Sequence, residues 1–166
     1  MTANRRRSLE TANHSRVSKW LSDQNDGTCR HLRLLGRCCR NLGYDMNAKE
    51  VKRRYEAIKE KQDHAVFVGE EDGRLVALLH LYERPAFDKP PEAIVQAIVV
   101  DHNLRGTGIG KTMMDVAERW ASERGFSSIA LTSSVSRSDA HSFYNRLGYK
   151  AEAISHLFRK KLVGMR

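Results

Sequence analysis

Three alternating glycines stand just before a long amphipathic segment and could form an anion-binding turn. Gly106, Gly108 and Gly110 leave the main chain free of side chains, so its amides can approach a ligand closely. The turn opens a helix, whose first N–H groups lack internal partners and lie at the positive end of the helix dipole. Such an end suits phosphate, and Arg105 and Lys111 add positive charge on either side. The residues alone predict a cradle for a phosphate or a pyrophosphate.

Two familiar phosphate-binding loops do not fit this turn. The P-loop pattern needs a glycine five positions before Gly110, and Arg105 occupies that position. The dinucleotide fingerprint G-x-G-x-x-G needs its third glycine where Lys111 stands, and it normally begins a βαβ domain. Another phosphate-bearing ligand, or a glycine-rich connector without a ligand, therefore remains.

The hydrophobic pattern predicts an α/β (α+β) chain in which this turn joins a strand to a helix. The strand before the turn is apolar on both faces, which is typical of a buried strand, and the segment after it repeats with a helical period. Helices and strands together indicate a central sheet flanked by helices. The predicted elements are helices over Leu32–Leu42 and from Asn47, strands over Ala65–Val68, Leu75–Tyr82 and Ala93–Val100, a helix from Ile109 to Gly125, a strand over Ser128–Thr132, a helix over Ser138–Leu147 and a strand over Ala153–Leu162.

We predict a flexible basic leader over residues 1–27 and a single domain over residues 28–166. The net charge is +9, and most of the excess lies in the first 64 residues. Residues 1–27 lack a sustained period, although Val17 could start a short helical turn. A basic arm could bind nucleic acid, but no aromatic residues interleave with its arginines, so the sequence favours a solvated leader.

The composition argues against a membrane protein, a secreted protein and a metalloprotein. No apolar run approaches the roughly 18 residues that a membrane helix needs, and no apolar stretch follows the N-terminal arginines as in a secretory signal. Cys29, Cys38 and Cys39 form neither a disulfide framework nor a zinc pattern. We therefore expect a cytoplasmic protein with reduced thiols and no metal.

Two blocks of the sequence resemble the GNAT superfamily of N-acetyltransferases. Residues 105–110, Arg-Gly-Thr-Gly-Ile-Gly, resemble the R/Q-x-x-G-x-G/A motif, and residues 140–149 resemble the A-x-x-F-Y-x-x-x-G-[FY] block. The blocks have the order and separation of the family, and the resemblance extends from about Leu32 to Leu162. It implies a GNAT-type fold, a mixed and mostly antiparallel central sheet with helices on both faces, and acetyl-CoA as the co-substrate.

The resemblance also implies the residues that hold acetyl-CoA. The turn would bind the pyrophosphate, and the strand over residues 98–100 would pair through its backbone with the pantetheine arm. Arg137 stands where many relatives have Asn, and it could reach a CoA phosphate or face water. The implied set is Ile98, Val99, Val100, Arg105, Gly106, Thr107, Gly108, Ile109, Gly110, Lys111 and Arg137.

The family implies direct attack of a neutral amine on the thioester, without a covalent enzyme intermediate. Tyr144 matches the tyrosine that many relatives use as the general acid for the leaving thiolate. The base stays open between His80 on a central strand, Glu83 at the end of that strand, a water oriented by Gln96, and a chain of waters.

The resemblance is greatest to small-molecule enzymes of the aminoglycoside 6′-N-acetyltransferase type, through residues 42–44 and 140–144. A cationic substrate would prefer an acidic cleft, and one loop supplies Glu83, Asp88 and Glu92. We expect transfer to a primary amine of a small molecule. Acetylation of a protein or peptide, and a CoA-binding module without turnover, are the alternatives. Many relatives form dimers, so a homodimer is compatible with the resemblance.

Overall fold

The computed structural model describes residues 15–19, 47–72 and 74–162. The described residues up to 132 and those from 133 to 162 form two compact units. Among the described residues, no helix combines the length and apolar character that crossing a membrane requires. The elements are β1 (Ser15–Lys19), α1 (Ala48–Lys59), β2 (His64–Glu71), β3 (Arg74–Arg84), β4 (Glu92–Val100), a 3₁₀ turn (His102–Leu104), α2 (Ile109–Glu123), β5 (Ile129–Leu131) and α3 (Ser138–Arg146).

The first unit is built on a five-stranded mixed sheet with the order β1-β2-β3-β4-β5. The first four strands are antiparallel to their neighbours, and β5 runs parallel to β4. β3 is central, as its two apolar faces predict, and Leu79 and Leu81 on it are fully buried. The predicted class, a mostly antiparallel sheet with flanking helices, is confirmed.

Helix α1 begins where the sequence predicts. The side chain of Asn47 accepts the backbone N–H of Glu50 at 2.9 Å, which satisfies one of the free donors of the first turn. Val51 and Tyr55, one turn apart, are buried. The Glu50 carboxylate binds the guanidinium of Arg53 at 2.8 Å, so its charge is used along the helix surface.

Helix α2 packs against the sheet face that carries Gly69 and Ala77. A Cβ built on Gly69 would lie 3.0 Å from the Ala77 Cβ and 3.6 Å from the Met113 sulfur, so helix and sheet approach closely at this point. The buried stripe of α2 is Ile109, Met113, Met114, Ala117, Trp120 and Ala121. The predicted helix is confirmed, and Gly125 follows its end with φ +79°.

Two sequence predictions are wrong, and one lies outside the described residues. Ser15–Lys19, inside the predicted leader, forms β1, because an edge strand needs backbone pairing with β2 and no apolar pattern of its own. Residues 151–162 contain no strand and are exposed. No strand of the described sheet pairs with this segment, so its apolar side chains at 154, 157, 158 and 162 stay exposed. The predicted first helix, over Leu32–Leu42, belongs to the part that is not described.

Candidate active site

The glycine turn after β4 has the backbone geometry of a cradle. Gly106 has φ +82° and Gly108 has φ +97°, a left-handed region that side chains rarely adopt. A Cβ built on either glycine meets no heavy atom within 4 Å, so packing does not explain the absence of a side chain. The two glycines therefore set the path of the main chain and leave open space above the turn.

Helix α2 presents free amide donors to this space. Gly108 is the N-cap and makes no side-chain capping bond, and the first turn of the helix carries no acidic residue. The first bond of the helix runs from the Thr112 N–H to the Gly108 carbonyl at 3.0 Å. The amides of residues 109–111 come before that bond, so the helix offers them no acceptor. Donors and dipole together create an anion-binding end.

The two cations beside the turn differ in their surroundings. Lys111 Nζ lies 2.7 Å from Asp115 Oδ2, one turn further along α2, and both groups are exposed. Arg105 is exposed, and in the described ranges no carboxylate forms an ion pair with it. Arg105 is therefore the cation of the pair that can reach an anion without first leaving a partner.

A fork opens between β4 and β5 before the chain reaches the glycine turn. The parallel pairing joins Ala93 to Ile129, Ile94 to Ala130 and Val95 to Leu131, and it ends there. The register between β3 and β4 then shifts, because Leu81 faces Val95 whereas His80 faces Ala97. Gln96 is the extra residue of this bulge, and its side chain is exposed. The bulge marks the point at which β4 leaves β5.

The backbone of β4 beyond the bulge turns hydrogen-bonding groups into the fork. The Asp101 N–H donates to the Val76 carbonyl at 2.7 Å, which fixes which residues of β4 bond to β3. Because the direction of the backbone groups alternates along an antiparallel strand, Val99 also faces β3, whereas Ile98 and Val100 face the side where β5 no longer pairs. Of the three predicted strand residues, two can therefore offer backbone groups to a ligand.

His80 lies on β3, one strand away from the fork, and contacts a histidine that the sequence analysis missed. His80 faces Ala97 in the β3–β4 register, and its Nε2 lies 2.9 Å from Nδ1 of His64 on β2. Burial, with a smaller effect of the neighbouring His64, lowers the pKa of His80 to about 4. The ring is therefore neutral at physiological pH.

Glu83 lies at the other end of the sheet, among charges that neutralise it. It faces Ala93, where β4 still pairs with β5, and its carboxylate lies 2.5 Å from Arg124. Glu92, also predicted for the acidic cleft, binds Arg84 and lies 3.1 Å from Lys89 Nζ, and the Arg84 hydrogen bond lowers the pKa of this carboxyl. Both carboxylates are thus engaged in ion pairs.

The second unit carries the other two predicted residues on and beside α3. Arg137 is the N-cap of this helix, and Tyr144 lies in its last turn. Burial raises the pKa of Tyr144, and the charge of Arg137 acts in the opposite direction. The Tyr144 ring contacts Phe143 and Tyr149, with centroids 5.2 and 6.1 Å away. Tyr144 therefore holds its proton firmly at neutral pH.

Comparison with known proteins identifies the class. Residues 31–149 match the acetyltransferase (GNAT) family. The chain is 30% identical over 120 residues to the uncharacterized N-acetyltransferase YhdJ of Bacillus subtilis (strain 168), which is 72% of this chain and 83% of that protein. It is 38% identical over 63 residues to mouse (Mus musculus) N-alpha-acetyltransferase 80, 38% of this chain and 19% of that protein. The chain belongs to the GNAT acetyltransferase family and is an N-acetyltransferase, an acyltransferase.

A solved acetyltransferase structure has the same fold as this chain. The crystal structure of aminoglycoside N-acetyltransferase AAC(6')-Iy in complex with CoA superimposes with a TM-score of 0.78, covering 93% of this chain and 100% of that one. Sequence identity over this superposition is 17%, so the likeness concerns the fold. The GNAT-type fold expected from the two sequence blocks is confirmed.

Proposed function

We propose that this N-acetyltransferase uses acetyl-CoA to acetylate a primary amine of a small molecule by direct attack. Two observations carry the proposal: the backbone of Ile98 and Val100 turns into the β4–β5 fork, and the first amides of α2 have no acceptor within the helix. The turn fits a diphosphate, because it combines open space, free amides and the positive end of a 15-residue helix. The backbone of Ile98 and Val100 fits the amide-bearing arm of CoA.

Acetyl-CoA would supply an activated acetyl group as a thioester. The protein would hold the amine and the thioester in a reactive geometry, which raises their effective concentration. The N–H of Val100 or Ile98, directed into the fork, would polarise the thioester carbonyl as in an oxyanion hole. The family resemblance implies Tyr144 as the acid for the leaving thiolate, and burial keeps its hydroxyl protonated. Arg105 and Lys111 would bind the phosphates.

The base that we propose is His80 rather than Glu83. His80 faces Ala97, which directly follows the bulge where the fork begins. Glu83 faces Ala93, five residues before Ile98, and about 3.3 Å per residue separates it from that point by roughly 16 Å. The Glu83 carboxylate also forms an ion pair with Arg124, which follows the far end of α2.

A small amine is the acceptor class that we propose, and a peptide N-terminus is the second candidate. The first is supported by the fold of an aminoglycoside N-acetyltransferase. The second is supported by the 63 residues shared with a mouse N-alpha-acetyltransferase. The ion pairs of Glu83 and Glu92 remove an argument for an acidic cleft, so a strongly polycationic acceptor is not required.

The test is a thiol-release assay with acetyl-CoA against two matched panels. One panel holds primary amines of sugars, polyamines and aminoglycosides, and the other holds short peptides with free and with blocked N-termini. Release with the small amines and none with the free peptides supports the first candidate, and the reverse supports the second. Binding of CoA without release with any acceptor would contradict an acetyl-transfer function.

A further inference from the structure

The two histidines on neighbouring strands form a directly hydrogen-bonded pair. His64 on β2 faces Tyr82 on β3, and Val66 on β2 faces His80 on β3. The side chains of His64, His80 and Tyr82 therefore lie on the same face of the sheet. Nδ1 of His64 lies 2.9 Å from Nε2 of His80, and the ring centroids are 5.2 Å apart with planes inclined by 26°. A ring radius on either side of the N···N contact accounts for this centroid separation, so the rings meet edge to edge.

The contact makes the tautomer of each imidazole depend on the tautomer of the other. A neutral imidazole has one N–H and one bare nitrogen, so one of the two facing nitrogens must carry the proton and the other must accept it. When Nδ1 of His64 accepts, the proton of this ring lies on Nε2. That Nε2 lies 3.8 Å from Oδ2 of Asp63, whose side chain is 52% exposed. A line of exchangeable sites thus runs from His80 to solvent.

The inner end of this line lies one strand away from the fork, with β4 between them. His80 faces Ala97 across adjacent strands, a separation of about 4.8 Å between the strands. Parallel pairing of β4 with β5 ends at Val95, so Ala97 already belongs to the open part of β4. Nδ1, the nitrogen of His80 that does not contact His64, is the site that remains to receive a proton.

We propose that His80, His64 and Asp63 form a relay that carries a proton from the acceptor ammonium at the fork to solvent. The proposal rests on the proposed acetyl transfer and adds its proton path. The N–H bond of the ammonium breaks as Nδ1 of His80 gains the proton. The Nε2 proton of His80 passes to Nδ1 of His64, and the Nε2 proton of His64 passes to Asp63 or water. Exchange with water restores both tautomers after the product leaves.

The relay explains how an imidazole with a low pKa can act as a base. Each imidazole gains one proton and loses one, so neither ring has to hold a lasting positive charge. Burial lowers the pKa of His80 to about 4, which disfavours storage of a proton on this ring but does not oppose its passage. His80 is then the catalytic residue, and His64 and Asp63 act through it.

Substitutions with matched shape test the relay. His80→Gln and His64→Asn place an amide near the nitrogen that makes the contact, but an amide cannot pass a proton at neutral pH. The rates are measured by thiol release with ethylamine and with 2,2,2-trifluoroethylamine, which have similar size, although only ethylamine is largely protonated at neutral pH. We expect His80→Gln to lower kcat with ethylamine about 100-fold, and the loss with trifluoroethylamine to be several-fold smaller.

A matched control separates proton transfer from packing. Tyr82 stacks on His64 with centroids 5.6 Å apart but lies outside the relay, so Tyr82→Phe should leave kcat with both amines unchanged. His64→Asn should reproduce the pattern of His80→Gln with a smaller loss, and KM for acetyl-CoA should stay constant in both. Equal losses with the two amines, or no loss with either, would overturn the relay.

A readout independent of turnover is the ¹⁵N NMR spectrum of histidine side chains in the wild-type protein. The pair predicts one hydrogen-bonded ring N–H that couples the two imidazoles and disappears in both variants. A spectrum without that coupling overturns the relay and leaves acetyl transfer standing. A wild-type protein that releases thiol with no amine overturns acetyl transfer and the relay with it, whatever the spectrum shows.

Discussion

The carboxylate of Glu83 lies 2.5 Å from Nη1 of Arg124, which joins the end of β3 to the residue after α2. The same guanidinium donates to the Gln62 carbonyl at 3.2 Å and lies 4.9 Å from the centre of the Trp120 ring. Arg124 thus ties strand, turn and helix together, and Glu83 completes its coordination. The position and the partner both assign Glu83 a structural role.

Glu83→Gln should therefore change stability more than chemistry. Both side chains are about one-third exposed, so the ion pair contributes about 0.5–1 kcal/mol to the free energy of unfolding. We expect urea denaturation to show a loss of that size, and kcat for acetyl transfer to stay within about twofold of the wild-type value. A large fall in kcat at unchanged stability would restore Glu83 as the base.

If the glycine turn binds a diphosphate, a carboxylate at Gly108 should abolish CoA binding. Gly108→Glu would place a negative charge in the space where a diphosphate is proposed to bind, so CoA should no longer raise the melting temperature. With CoA at 100 times its Kd, the wild-type protein should gain about 2.7 kcal/mol of stability, which raises the melting temperature by about 5–10 °C.

Gly125→Glu is the matched control for backbone strain. Gly125 also has a positive φ, +79°, and open space at its Cβ position, but it follows the far end of α2. Both variants should lose stability to a similar degree, and Gly125→Glu alone should keep its response to CoA. If both variants respond to CoA like the wild type, the diphosphate binds elsewhere.

Much of this site was predictable because the signals are local. The turn over residues 105–111 and the cap at Asn47 depend on residues a few positions apart, and their types specify the geometry directly. The central position of β3 was also predictable, because two apolar faces require cover on both sides.

The histidine pair could not be predicted, because it depends on a register shift. A two-residue turn over residues 72–73 would place His64 opposite Leu81, on the face that carries α2. A bulge between Gly69 and Glu70 moves the pairing by one, so His64 faces Tyr82 and meets His80. A one-residue shift transfers a side chain to the other face of a sheet, and nothing in the local sequence requires it.

Asp115 should weaken CoA binding by holding Lys111. The 2.7 Å ion pair directs the ammonium along the helix and adds a negative charge near its anion-binding end. We expect Asp115→Asn to tighten CoA binding about twofold to fivefold at low salt, and the gain should shrink as salt screens the charges. Isothermal titration measures the affinity, and Glu123→Gln at the other end of α2 is the control. A weaker affinity for CoA in Asp115→Asn would contradict the assignment.

His80 should make stability depend on pH. Its pKa is about 4 in the folded protein, against the ordinary value of 6.5, so between these values the unfolded chain binds more protons than the native one. Stability attributable to His80 is complete above pH 6.5 and is lost as the pH falls towards 4. We expect a loss on the order of 2 kcal/mol. Urea denaturation from pH 7 to pH 4 measures it, and the difference between wild type and His80→Gln isolates this residue. Parallel curves for the two proteins would refute the effect.

Tyr144 should matter for the leaving group and not for binding. Burial raises the pKa of its hydroxyl, so the group is protonated when a thiolate forms and can donate to it. We expect Tyr144→Phe to lower kcat about 10-fold to 100-fold, with KM for acetyl-CoA and the melting temperature nearly unchanged. Tyr149→Phe is the control: it removes the hydroxyl of the neighbouring ring, whose centroid lies 6.1 Å away, and should retain the wild-type kcat. Single-turnover thiol release separates the chemical step from product release. If Tyr144→Phe transfers acetyl groups at the wild-type rate, the proton for the thiolate comes from another donor, and the burial of this hydroxyl serves packing alone.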